Sequence, residues 1–407
     1  MRIQLPHSLR SRNAGLFRLA WAQGLSALAG TFLMLALVFY GAQEANVTGL
    51  GLLFAAKAAP TLVIALIGGV LADSWSRVKI ASGSMATIGV VNVVLAYMLP
   101  IFGLSWQVQL LVLVSGFATA VGAPSLYALL PAVVAEEELV RGNAVVRSFR
   151  NVGNVVGPGI AVVIAHVVSF QAIILITAFL NVVSALLIAR INPVMATRQS
   201  HSSSTDWQSV WEVLRQNRWL FFAVPFWGVF IAIHAGAADV TQSIHVVGQM
   251  GSGTWSIMMT TMSIGYILGS LVSLKLKVRS LFTTSVLFAS LSILQLLASG
   301  FSDSVFVLGG ASLLTGIGFE ISGVLWGASL QSRVPDEQMG RASSFDYAVS
   351  FGLTPAGYVI FGFFSISIAV PVLAISSCIL ALLTAIGVCV GIKLDRRETV
   401  KRLVPEV

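Results

Sequence analysis

"VAEEELVR", residues 134–141, and "VPDEQMGR", residues 334–341, are two polar stretches that a strongly apolar chain of 407 residues places 200 positions apart. Each opens on Val, carries acids at its third and fourth positions and closes on Arg. The same spacing relates Ser115-Gly116 to Thr315-Gly316, and Gly157 to Gly357. It also relates Gly69, Leu71, Arg77 and Lys79 to Gly269, Leu271, Lys277 and Arg279, whereas Asp73 meets Ser273. A half-chain unit has been built twice, and its two copies run in the same direction.

The solvent for that unit follows from composition. Hydrophobic residues make up 57% of the chain and charged residues 10%, against about a quarter charged in an ordinary soluble protein. A helix crossing a bilayer needs about 20 mostly apolar residues. Stretches of that kind occur near 15–41, 47–72, 79–99, 105–130, 143–168, 170–190, 219–243, 253–275, 280–300, 304–330, 342–364 and 368–392. The expectation is an all-α membrane protein of twelve transmembrane helices in two pseudo-symmetric six-helix bundles. Residues 1–190 form the first bundle, 191–218 a cytoplasmic linker, and 219–407 the second bundle with a short tail. Within the linker, Asp206–Leu220 sets Trp207, Val210, Trp211 and Leu214 on one helical face. That pattern suits a helix lying in the interface, and equally a simple lead-in to the next span.

The net charge of +8 does not point to nucleic acid, because of where it sits. Alternating the spans gathers Arg2, Arg10, Arg12, Arg77, Lys79, Arg141, Arg147, Arg150, Arg190, Lys275, Lys277, Arg279, Arg333 and the residues from Lys393 to Arg402 on one side. The loops expected on the other side carry no Lys or Arg. Positive residues stay cytoplasmic, so both termini are expected there, in a bacterial inner membrane, with anionic lipid as the partner of the basic side. The first span is too long for a signal-peptide core. Cys378 and Cys389 lie eleven residues apart in one span, too far along a helix to form a disulfide with each other.

Between the second and third spans, "GGVLADSWSRVK" (68–79) interrupts the apolar sequence with Asp73, Arg77 and Lys79. The chain here resembles the major facilitator superfamily, whose corresponding loop reads Gly-x-x-x-Asp-Arg-x-Gly-Arg-Arg/Lys. Gly69, Asp73 and Arg77 match, Ser74 and Ser76 depart from the pattern, and Lys79 is displaced by one position. With the repeat and the spans, the resemblance covers essentially the whole chain. It implies transport by alternating access around a site between the halves. It also implies a latch in which Asp73 faces a helix end and Arg77 pairs with Asp346 near the start of the eleventh span. "GNVVGPGIA" in the fifth span, with Gly153, Gly157 and Pro158, is similar to the Gly-x-x-x-Gly-Pro signature of exporters in this superfamily. Small residues let helices approach closely and Pro bends them, so the same residues also serve plain packing. "RNAGLFRLAWAQGLSALAG", the Lys57–Pro60 step and the stretch from 129 to 161 look like a branch that contains the enterobactin exporter and macrolide-efflux proteins. Export of a siderophore or drug is what that likeness implies.

Ionisable side chains inside a span are costly and mark function. Lys57 lies about mid-span in the second stretch, Asp239 in the outer half of the seventh and Glu320 deep in the tenth. Lys57 is suited to an anionic or catecholic group or to a buried acid. Asp239 and Glu320 are candidates for exchanging a proton or holding substrate, with His234 a neighbour of Asp239 able to join a relay. No Walker loop, metal-ligand spacing or nucleophile elbow occurs. The expectation is therefore a secondary transporter rather than an enzyme, without metal or cofactor. It would work as a monomer with a small molecule, protons and lipid as partners. The alternatives are a lysophospholipid flippase or an importer on the same scaffold, or a membrane ligand sensor.

Overall fold

The computed structural model describes residues 7–44, 46–67, 76–134, 139–165, 167–192, 207–273, 275–364 and 368–403. Every regular element among them is helical, as expected where lipid offers the backbone no hydrogen-bond partners. In chain order they are α1 (His7–Gln43), α2 (Val47–Ile67), α3 (Arg77–Phe102), α4 (Trp106–Val133), α5 (Leu139–Ala165), α6 (Phe170–Ala189), α7 (Trp207–Gln216) and α8 (Leu220–Ala235). A π-helical turn (Gly236–Gln242) follows, then α9 (Ser243–Ser273), α10 (Leu281–Ala289), α11 (Ser292–Phe301), α12 (Val305–Arg333), α13 (Asp336–Gly352), α14 (Thr354–Phe364) and α15 (Ala369–Leu403).

Among the described residues, nine stretches are long and apolar enough to cross a membrane. One of them, Leu220–Ser273, runs for 54 residues, enough for two crossings, and is broken at Gly251, whose φ is 84°. The outer loop expected at 244–253 is thus helical up to Met250, and the break is one residue. α2 and α5 stand outside the nine, so this tally does not reach twelve. The surface is apolar in the manner of a lipid-facing protein: Phe306 is 92% exposed and Phe301 71% exposed.

Contacts divide the chain into two units, Met1–Tyr40 with Ala56–Thr205, and Gly41–Ala55 with Asp206–Val407. The first half of α2 is therefore counted with the second unit, a division that the chain order alone does not suggest. In the first unit, Leu19, Met85, Leu129, Val146 and Ile188 share a core drawn from α1, α3, α4, α5 and α6. In the second, Phe226, Trp227, Phe230, Phe282, Leu296 and Leu373 form an aromatic-rich core.

The repeat reappears as packing. Gly116 of α4 lies against the Lys57 carbonyl and Pro60 of α2, and its counterpart Gly316 of α12 lies against the Met262 carbonyl and Gly265 of α9. Gly157 of α5 meets Thr31 and Leu28 of α1, and its counterpart Gly357 of α14 meets Ala232 of α8. In each pair a missing side chain allows backbones to close up, the usual device where lipid supplies no hydrophobic drive between helices.

α7 packs with Val213 and Leu214 against Leu220, Val224, Leu330, Val334 and Ala342. Trp211 is 52% exposed and meets Phe221 edge-on at 5.4 Å. Asn217 Nδ2 donates to Gln338 Oε1 at 3.0 Å, so the helix is fixed to the end of α13 by protein contacts. Asp206, the expected start of this helix, lies outside the described residues.

Candidate functional site

The second unit gathers ionisable and phenolic side chains from five elements. Asp239 sits in the π turn Gly236–Gln242, where the helical register opens by a residue. π turns inside α-helices frequently occur at functional sites. The local sequence suits one, because Gly236, Ala237 and Ala238 are small and buried. Gly236 comes so close to the Gly357 carbonyl and the Phe361 ring that a Cβ would collide with both. The opened register leaves carbonyls in need of donors. Ser243 Oγ supplies one, bridging the Asp239 and Val240 carbonyls at 2.5 and 3.1 Å.

Asp239 is held by Tyr358 of α14, whose phenol donates to Oδ2 at 2.8 Å. Oδ1 receives no hydrogen bond from any described residue. Behind Tyr358 stands Phe54 of the first half of α2, with ring centroids 5.6 Å apart. On the other flank, His234 meets Phe319 of α12 edge-on at 4.7 Å, and Phe319 is the neighbour of Glu320. Tyr266 of α9 lies within electrostatic reach of both Asp239 and Glu320. α9 and α12 are drawn together where Gly269 packs on the Ile317 carbonyl and the Glu320 Cβ. Asp239, Glu320, His234, Tyr266 and Tyr358 are all half-buried. The Nε2 of His234 is itself sealed and has no hydrogen-bond partner among the described residues.

A fully buried polar set anchors the end of the π turn. Gln242 Nε2 donates to the Gln295 carbonyl at 3.1 Å and to Ser299 Oγ at 2.5 Å, and Gln295 Nε2 donates back to Gln242 Oε1 at 3.1 Å. These three side chains are 0%, 1% and 5% exposed. Paired amides in a membrane interior fix one helix position against another.

The structure thus brings together three of the residues singled out by the sequence, Asp239, Glu320 and His234, and adds Tyr358 and Tyr266. Neither tyrosine belongs to a motif, and Tyr358 lies 119 residues from Asp239. The only sequence signal was a phenol within an otherwise apolar span. Lys57 lies in the first unit, half-buried on α2, with no ion pair to any described residue. Among the residues expected to form a gate, Gly69 and Asp73 lie outside the described residues. Arg77 is the first residue of α3. Asp346 of α13 takes its partners from its own unit, accepting from Trp326 Nε1 at 3.0 Å and Ser350 Oγ at 2.8 Å. Gly153, Gly157 and Pro158 are buried on α5, with Gly153 against the Gly24 carbonyl and Leu28 of α1. No cluster of His, Cys, Asp or Glu suited to a metal ion occurs among the described residues.

Known proteins share this architecture. A nucleoside transporter, NupG, superposes with a TM-score of 0.69, covering 92% of this chain and 98% of that one at 14% identity. A POT family transporter, in complex with a thioalcohol-conjugated peptide, superposes with a TM-score of 0.68, covering 91% and 95% at 12% identity. At such identities the likeness concerns the fold. By sequence, macrolide efflux protein A of Streptococcus pyogenes is 29% identical over 219 residues, 50% of this chain and 52% of that protein. The protein of the same name from Enterococcus faecalis is 32% identical over 162 residues, 38% and 49% of the two chains. The chain therefore spans about half the length of the curated relatives it matches. The sequence pattern of the Major Facilitator Superfamily matches residues 19–357; with the helical architecture and the duplicated packing, this places the chain in that superfamily, and the protein is a member of it.

Proposed function

We propose that the protein is a secondary active exporter of an amphipathic small molecule, driven by protons entering in exchange. The observation that carries this reading is the Asp239–Tyr358 pair on a π turn, with Glu320 and Tyr266 beside it, inside membrane-crossing helices. Antiport needs a carboxyl that takes a proton on one side and yields it on the other, with substrate competing for the same group. A carboxylate with one oxygen tied and one open meets that need. The Tyr358 hydroxyl holds Asp239 in place and gives the charge a donor when the proton leaves. Support for export of a drug-like compound comes from the macrolide-efflux relatives; the siderophore alternative rests on sequence resemblance. Asp73 and Arg77 would gate the cytoplasmic side, in an inner membrane with both termini in the cytoplasm.

The test compares spent medium from cells lacking the protein, expressing it, or expressing Glu320→Gln or Asp239→Asn, with ample and scarce iron. A compound that leaves only with the wild-type protein names the substrate. Inverted vesicles then measure its movement with and without a pH gradient. Gradient-driven movement lost in Asp239→Asn at normal protein level supports antiport. Equal movement in both, or media that cannot be told apart, would sink it and direct attention to uptake or lipid flipping.

A further inference from the structure

Three basic side chains converge at one end of the first unit. We infer that this corner binds an anionic phospholipid, its phosphate held by Arg18, Lys79 and Arg190 and its acyl chains laid along the exposed faces of α3 and α6. The site is independent of the exporter reading.

The convergence follows from how the helices pack. Asn92 of α3 donates from Nδ2 to Thr177 Oγ1 of α6 at 3.1 Å. Three residues earlier on α3, Gly89 lies against the Ala178 carbonyl and Val182. Steps back along α3 are steps forward along α6, so the two helices run antiparallel. Thirteen residues back from Asn92 stands Lys79, and thirteen on from Thr177 stands Arg190. An equal rise per residue sets the two at one level. α1 joins them directly, because Arg18 Nη1 donates to the Arg190 carbonyl at 2.5 Å and so caps the end of α6. Leu19, Val78, Leu187 and Ile188 share the apolar cluster beside them.

The charge at this corner is unanswered. No helix from α1 to α6 contains an Asp or a Glu. The side chains of Lys79 and Arg190 are exposed and form no ion pair with a described residue. Like charges brought together repel, and a phosphate among them replaces repulsion with charge-assisted hydrogen bonds. Basic pockets between membrane helices take acidic headgroups.

A lipid is favoured over free phosphate by the surface that continues from each cation. Lys79, Gly83, Val90, Val94 and Tyr97 share one exposed face of α3. A side chain added at Gly83, one turn from Lys79, would meet no atom within 4 Å. On α6, Arg190, Leu186 and Phe179 likewise share an exposed face. Each cation heads an apolar track, as a headgroup heads its chains. Phe17 and Trp21, both exposed, flank Arg18 on α1, and aromatic side chains favour the headgroup level. The second unit lacks the full set: 200 positions on, Arg218 and Arg279 match Arg18 and Lys79, but Val390 stands where Arg190 does.

The experiment is native mass spectrometry of the full-length protein in detergent, titrated with dioleoylphosphatidylglycerol or dioleoylphosphatidylcholine, which have the same chains. The wild-type protein should bind the phosphatidylglycerol at least about tenfold more tightly. Lys79→Gln and Arg190→Gln should each weaken that binding about fivefold, and the double variant should bind the two lipids alike. Arg279→Gln removes one positive charge from the second unit and should leave the preference intact. Excess inorganic phosphate should not displace the lipid. Equal binding of the two lipids to the wild-type protein overturns the inference, as does a preference kept by the folded double variant. An equal loss in Arg279→Gln, which would mean attraction by net charge alone, or displacement by inorganic phosphate also overturns it. The wild-type comparison decides even where a variant fails to fold.

Discussion

Gly157 and Gly357 occupy matching places in the two repeats, but alanine at each should have different consequences. At Gly357 the new Cβ would run into the Ala232 carbonyl oxygen, with the carbonyl carbon at 2.8 Å and Cα at 3.2 Å. All three are backbone atoms of α8, so α14 must move away bodily. At Gly157 the Cβ would meet Thr31, mainly its Oγ1, with its Cβ at 3.0 Å. Thr31 can rotate, giving up the bond from Oγ1 to the Leu28 carbonyl at 2.8 Å. Overpacking against rigid neighbours costs about 1–3 kcal/mol, and one internal hydrogen bond about 1 kcal/mol. Both variants recover about 1 kcal/mol because alanine favours helix over glycine. The balance is a loss of up to about 2 kcal/mol for Gly357→Ala and roughly none for Gly157→Ala. Intrinsic tryptophan fluorescence during thermal or SDS unfolding of the purified proteins reads the difference. A loss at Gly157→Ala equal to or greater than that at Gly357→Ala would refute the distinction between side-chain and backbone neighbours.

Tyr358→Phe keeps the ring packed on Phe54 but deprives Asp239 of its donor, so gradient-driven export should fall several-fold at unchanged protein level, measured in inverted vesicles. Gln242→Leu strands the Gln295 amide N–H in a sealed core and should cost about 1–3 kcal/mol, visible as a lower unfolding midpoint. Trp326→Phe removes the N–H that Asp346 accepts and should cost about 1 kcal/mol; if stability is unchanged, that bond contributes nothing. Asp73→Asn should shift the balance of conformations while sparing the fold, read by accessibility labelling of cysteines introduced near the cytoplasmic helix ends; wild-type labelling would remove Asp73 from the gate.

Much of this was legible in the sequence because membranes make local composition decisive. Apolar length alone announced helices, and the repeat at 200 residues predicted that Gly116 and Gly316, or Gly157 and Gly357, would do equivalent work. Asp239 and Glu320 declared themselves by being charged where charge is expensive. The tyrosines did not, because a phenol in an apolar span is unremarkable until its partner is known, and Tyr358 finds Asp239 only through the fold. The π turn left no periodic signature; its small residues read equally well as ordinary helix packing. On α7, Val213 packs with Leu214 between α8, α12 and α13, although it stands outside the face that Trp207, Val210, Trp211 and Leu214 mark out.

Gly251 has a mechanical consequence. Its φ of 84° lets two long helices join through a single residue, so there is no slack at the joint. Asp239 lies twelve residues before it and Tyr266 fifteen after it, each on a stiff arm. A push along the first arm is carried through the joint instead of being absorbed by a loop, so a displacement of Asp239 is passed on to Tyr266, which lies within its electrostatic reach. Lengthening the joint by two or three flexible residues would uncouple those movements without altering a single contact at the site.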